Sequence, residues 1–126
     1  MRQFPSAVIA ASSGNKANSA ATATLTHDST NLWYVTGLEV TASGATAGLP
    51  VNVTLTGCLG GTLTWTFTFP AGVLVPATPL VIAMDNPLPS VDANTDVVLT
   101  LPASGSGGTN AAVVLRGFKG TRNLLD

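Results

Sequence analysis

The stretch Thr62-Leu63-Thr64-Trp65-Thr66-Phe67-Thr68-Phe69 reads as a β-strand with one apolar face and one hydroxyl face. Successive side chains of a strand point to opposite sides of the sheet, so Leu63, Trp65, Phe67 and Phe69 share one side and four threonines the other. A one-residue slip would bury the threonines and expose three aromatic rings, so the pattern fixes its own register. With Trp65 assigned to the core, Trp65→Ala is expected to cost about 3–5 kcal/mol.

Moving outward, Val51-Asn52-Val53-Thr54-Leu55-Thr56 alternates in the same way, and Gly57-Cys58-Leu59-Gly60-Gly61 separates the two runs. Two alternating runs joined by a short glycine-rich connection predict a β-hairpin. Further strands are expected over residues 21–26, 32–41, 80–84, 97–101 and 111–118, and helical periodicity is absent. Ser43-Gly44, Gly48-Leu49-Pro50, Pro70-Ala71-Gly72, Pro76 to Pro79, Asn86-Pro87-Leu88-Pro89 and Ser104 to Gly108 separate the runs. Proline lacks a ladder donor and glycine supplies positive φ, so these clusters end strands for a physical reason.

Seven or eight short strands predict an all-β fold, a single-domain antiparallel β-sandwich. A jelly roll is the first expectation and an immunoglobulin-like sandwich the alternative, because strand order cannot be read from alternation. Residues 1–20 are small, polar and aperiodic from Ala10 onward and read as an N-terminal arm. Residues 21–118 form the sandwich domain, and residues 119–126 a C-terminal tail.

The 126 residues suffice for one domain that buries roughly two-thirds of its unfolded surface. Charged residues make up only 9% of the chain, against about 25% in average domains. No Lys or Arg occurs between Lys16 and Arg116, and the net charge is -1. A nucleic-acid binder presents a broad basic face, so no nucleic-acid partner is expected. Neither is a membrane partner, since no apolar segment approaches bilayer-spanning length. The opening residues lack a signal-like apolar run, and Pro5 interrupts what there is. Cys58 is the single cysteine, which excludes an intramolecular disulfide and fits folding in a reducing compartment.

The residues that bear chemistry are few. His27 beside Asp28 reads as a surface turn pair, without a nucleophile elbow to make it part of a triad. Nothing in Thr56-Gly57-Cys58-Leu59-Gly60 would lower the pKa of Cys58, which reads as a small residue tucked into a bend. Asp85, Asn86, Asp92, Asn94 and Asp96 are rich in oxygen, but their spacing departs from a calcium loop and fits turn capping. Asn52-Val53-Thr54 matches a glycosylation sequon but lies inside an expected strand. No enzyme activity, cofactor or metal is expected.

The surface is more informative. Soluble monomers blunt exposed sheet edges with charge or proline, whereas these strands carry threonine on their wet face and almost no charge. Much of that surface is therefore expected to be covered by copies of the chain or by a larger assembly. Trp33 and Tyr34 are adjacent, so one is expected in the core and the other, Tyr34, on the surface. The apolar residues near the ends, Phe4, Val8, Ile9, Phe118, Leu124 and Leu125, and the cations Arg116, Lys119 and Arg122 complete a candidate partner interface. The alternative for Val8, Ile9 and Phe118 is that they complete edge strands.

The segments Thr36-Gly37-Leu38-Glu39-Val40-Thr41, Val51 to Gly57, Thr62 to Phe67 with Pro70-Ala71-Gly72, and Asn110 to Phe118 resemble small virion proteins of tailed bacteriophages. The similarity covers roughly residues 20–118 and is one of cadence and composition. It implies a head decoration or cement protein, often a homotrimer, that binds the major capsid protein lattice and stabilises the head. Such a protein is made in the host cytoplasm and resides on the capsid surface. The competing reading is a glycan-binding or fibre/tail-associated β-sandwich module, with Tyr34 near the segment from Asp85 to Asp96 as its sugar platform.

Overall fold

Nine strands form where the alternation predicted seven or eight. The computed structural model describes residues 8–45, 49–103 and 110–120, and every regular element among them is a strand. They are β1 (Ile9–Ser12), β2 (Ala21–Leu25), β3 (Leu32–Ala45), β4 (Leu49–Thr56), β5 (Leu63–Phe69), β6 (Gly72–Pro76), β7 (Leu80–Pro89), β8 (Val97–Leu101) and β9 (Asn110–Gly120).

One sheet has the order β1-β9-β3-β6, with β7 also paired to β3, and the other has the order β2-β8-β4-β5. All the pairings are antiparallel. They nest: β4 pairs with β5, β3 with β6 and β7, β2 with β8, and β1 with β9. Nested antiparallel pairs folded into two packed sheets are the jelly-roll arrangement, here with β7 as an added strand. The immunoglobulin-like alternative has a different strand order.

Alternation builds the core between the sheets. Ala21, Ala23 and Leu25 of β2, Val53 and Leu55 of β4, Phe67 and Phe69 of β5, and Val97, Leu99 and Leu101 of β8 meet Val35, Leu38 and Val40 of β3 and Val113 and Leu115 of β9. A β-bulge between Val35 and Gly37 shifts the phase of β3 against both neighbours. Its effect is to keep Leu38 and Val40 on the same side as Val35 despite the extra residue. Opposite the bulge, a Cβ on Gly117 would lie 2.7 Å from the Tyr34 carbonyl oxygen, so this close approach requires glycine.

Three expectations are corrected. The stretch read as an arm is partly folded: β1 pairs with β9, and beyond it the backbone N–H groups of Ser13 and Lys16 donate to the carbonyls of Val113 and Ala111. Its sequence, Ile-Ala-Ala-Ser, is too small and uniform to show an alternating face. The strand expected over 80–84 continues through Pro87 to Pro89, which is possible because among the described strands β7 pairs only with β3 and proline is tolerated on an edge strand. Trp65, assigned to the core, is only half-buried, as is Leu63 at the start of β5, whereas Phe67 and Phe69 toward its end are buried.

Candidate functional site

Several chain segments converge at one end of the sandwich: residues 26–31, 57–62 and 90–96, with the start of β1 and the finish of β9. Hydrogen bonds tie them together. Asn94 N–H donates to the Asp28 carbonyl at 2.8 Å, Val91 N–H to the Gly57 carbonyl at 2.8 Å, and Leu59 N–H to the Pro89 carbonyl at 3.0 Å. Ser90, almost fully buried, accepts from the Trp33 N–H through its Oγ and donates its own N–H to the Trp33 carbonyl. The Trp33 indole N–H donates to the Thr26 carbonyl at 2.8 Å. Among the described residues no buried side-chain polar atom lacks a partner. This end is therefore a braced surface made of loops.

Two carboxylates organise it. Asp28 accepts the N–H groups of Thr30 and Asn31 at 2.9 and 2.7 Å, and Lys119 Nζ lies 3.0 Å from its other oxygen. These donors, the Asn31 amide first, hold the Asp28 carboxyl far below the usual carboxylate range. Asp96 Oδ1 accepts the His27 N–H at 2.8 Å and lies 2.7 Å from His27 Nδ1. The backbone bond, followed by the ring, lowers the Asp96 pKa. His27 thus pairs with Asp96 across the ends of β2 and β8, where sequence adjacency had paired it with Asp28.

These groups do not assemble a reactive centre. The Cys58 thiol is fully buried in the core, and burial pushes its pKa up to about 11, the opposite of nucleophile activation. Among the described residues no three metal-ligating side chains cluster. Asp85 and Asn86 lie within β7 and Asp96 is engaged by His27, so the oxygen-rich segment is spread over a strand and a turn.

The candidate interface residues fall into three groups. Phe4, Arg122, Leu124 and Leu125 lie outside the described residues. Val8 and Ile9, at the start of β1, and Arg116, Phe118 and Lys119, in the last part of β9, lie on or beside neighbouring strands, with Ile9 opposite Gly117 and Ala10 opposite Arg116. Arg116 forms an ion pair with Glu39 on β3, and Lys119 also lies 5.3 Å from the centre of the Trp33 ring.

Tyr34 is a correction. It is 1% exposed rather than on the surface, because β9 places Phe118 directly opposite it and the two rings stack. Trp33 is buried as well, so both faces of β3 are covered at this point. The ring proposed as a sugar platform is therefore not available as one.

Sequence reasoning missed Leu59 and Val91. They are 51% and 50% exposed and sit on segments joined by hydrogen bonds at this same end. Val8, at 57% exposure, and Ile9 lie on its β1 side. Apolar residues inside Gly- and Asp-rich loops give no periodic signal, so only the fold reveals that they share an end.

The four-stranded sheet presents a different outward surface. The register places Thr22, Thr100, Thr54 and Thr64 in one row across β2, β8, β4 and β5. Thr24, Thr56, Thr66 and Thr68 lie on the same side, and none of the four strands carries a charged residue.

Models of known protein families give no match to this chain, and a search of curated proteins also finds none.

Proposed function

We propose that the protein is a structural virion component, a capsid decoration or cement protein that docks on the lattice of a major capsid protein through the loop end of its sandwich. The observation that carries this reading is the combination at that end of exposed Val8, Leu59 and Val91 with a hydrogen-bonded, ion-paired backbone. Exposed apolar side chains on a hydrogen-bonded scaffold favour protein contact, and a braced surface loses little conformational entropy when it binds. The threonine face and low charge fit a part that stands among many copies. The stoichiometry that goes with this reading is a homotrimer.

Electron microscopy of phage heads assembled with and without the protein tests the proposal. Added protein is expected to give extra density at regular lattice positions and to raise the temperature at which the heads open. Leu59→Asp with Val91→Asp should remove both effects while leaving the free protein folded. Heads that bind no protein would overturn the reading.

A further inference from the structure

Among the described strands, β5 presents the least protected sheet edge. Edge strands are normally short, charged, bulged or interrupted by proline, which prevents them from recruiting other chains. β1 has four residues and β2 five, β6 ends in Pro76, and β7 contains Asp85, Pro87 and Pro89. β5 has none of these protections: it is seven residues long, free of charge and proline, and among the described residues it is paired only to β4.

Beside this edge lies a groove of about 440 Å³. Thr66, Phe67, Thr68 and Pro70 line its β5 side and Pro76, Thr78, Pro79 and Leu80 the other, so it carries no charge. An occupant must be an extended, neutral segment with an apolar face toward the groove and a polar face toward solvent. β5 itself meets that description.

We propose that two copies of this chain pair antiparallel through β5, about a two-fold axis centred on Thr66. In this register Thr66 faces Thr66, Trp65 faces Phe67, Thr64 faces Thr68 and Leu63 faces Phe69. Apolar residues meet apolar residues on the inner side and threonines meet threonines on the outer side, because residue numbers of equal parity share a face. No like charges are opposed, which is the usual obstacle to isologous strand pairing. The indole of each Trp65 extends over the groove beside Phe67 of the other copy, and the two four-stranded sheets become one of eight strands. This two-fold contact is distinct from a three-fold axis and can join copies that belong to adjacent trimers. It does not depend on the capsid reading.

Single cysteines test the register in the purified full-length protein. Directly opposed residues on paired strands stand close enough for a disulfide, and native Cys58 is buried and silent. Under mild oxidation Thr66→Cys is expected to give a covalent dimer, because the residue meets its own copy. Thr68→Cys alone should stay monomeric on a non-reducing gel, whereas the double variant Thr64→Cys with Thr68→Cys should link. Thr66→Lys, which opposes two cations, should raise the dissociation constant of self-association at least tenfold by sedimentation. Failure of Thr66→Cys to link, or linking of Thr68→Cys to the same extent, overturns the proposal.

Discussion

Tyr34 and Phe118 face each other across β3 and β9 with ring centroids 5.3 Å apart and planes 14° from parallel. The pair seals the outer side of the five-stranded sheet where Trp33 fills the inner side. Removing one ring therefore uncovers the other.

Phe118→Ala should lower stability by about 2 kcal/mol, less than the 3–5 kcal/mol of a fully buried Phe because Phe118 is half-buried. Urea denaturation gives the loss, and increased quenching of Tyr34 fluorescence in a background with both tryptophans replaced reports its exposure. An unchanged midpoint would mean that the stack contributes nothing.

Phe69 and Trp65 belong to the same face of β5 but differ in burial. Phe69→Ala should cost about 3–5 kcal/mol, whereas Trp65→Ala in the isolated chain should cost about 1–2 kcal/mol. Denaturation at low protein concentration makes the comparison without self-association. Equal losses would contradict the difference in burial between the two ends of β5.

Gly57 and Gly60 both have positive φ, at 93° and 101°, but different surroundings. A Cβ on Gly57 would lie 2.1 Å from the Asp96 carbonyl oxygen, whereas one on Gly60 would meet nothing within 4 Å. Gly60→Ala should cost about 1–2 kcal/mol from backbone strain alone. Gly57→Ala must also displace a backbone carbonyl and should cost clearly more, which paired thermal melts will show.

Asp28 and Asp96 have folded pKa values below their ordinary value of 3.8. The folded chain therefore binds fewer protons than the unfolded chain in acid, so their contribution is fully present above 3.8 and is lost as the pH falls through the folded values. Stability measured by urea midpoints should decline on acidification in this window. Asp28→Asn should flatten the decline, and a curve parallel to that of the unaltered protein would show that Asp28 does not contribute.

Cys58 should react with a thiol reagent only as fast as the protein opens, because its sulfur is buried and its pKa is raised to about 11. Labelling rates that rise with denaturant in step with global unfolding are expected. Rapid labelling in native buffer would place the thiol outside the core.

Strands with strong alternation were legible because side-chain period and burial coincide, as in Leu63 to Phe69 and Val97 to Leu101. β1 was not, since Ile9-Ala10-Ala11-Ser12 acquires its strand character from the ladder of β9 and not from its own residues. Tyr34 shows a second limit: strand parity predicts which side a residue faces, but not that both sides are covered. The candidate site was the least legible part. Lys119 meets Asp28, and Leu59 shares an end with Val91, through pairings between distant segments that leave no local pattern.

The position of β9 has a consequence for how the chain is made. It lies between β1 and β3, and the Val113 N–H reaches the Ser13 hydroxyl across 100 residues of sequence. While residues 110–120 remain inside the ribosome, β1 has no partner and one side of β3 is open, so the five-stranded sheet cannot close. Such long-range pairing makes folding slow and leaves strand edges exposed in the meantime. Synthesis itself therefore sets the timing of folding, and a nascent chain released before Asn110 would be left to chaperones and proteases.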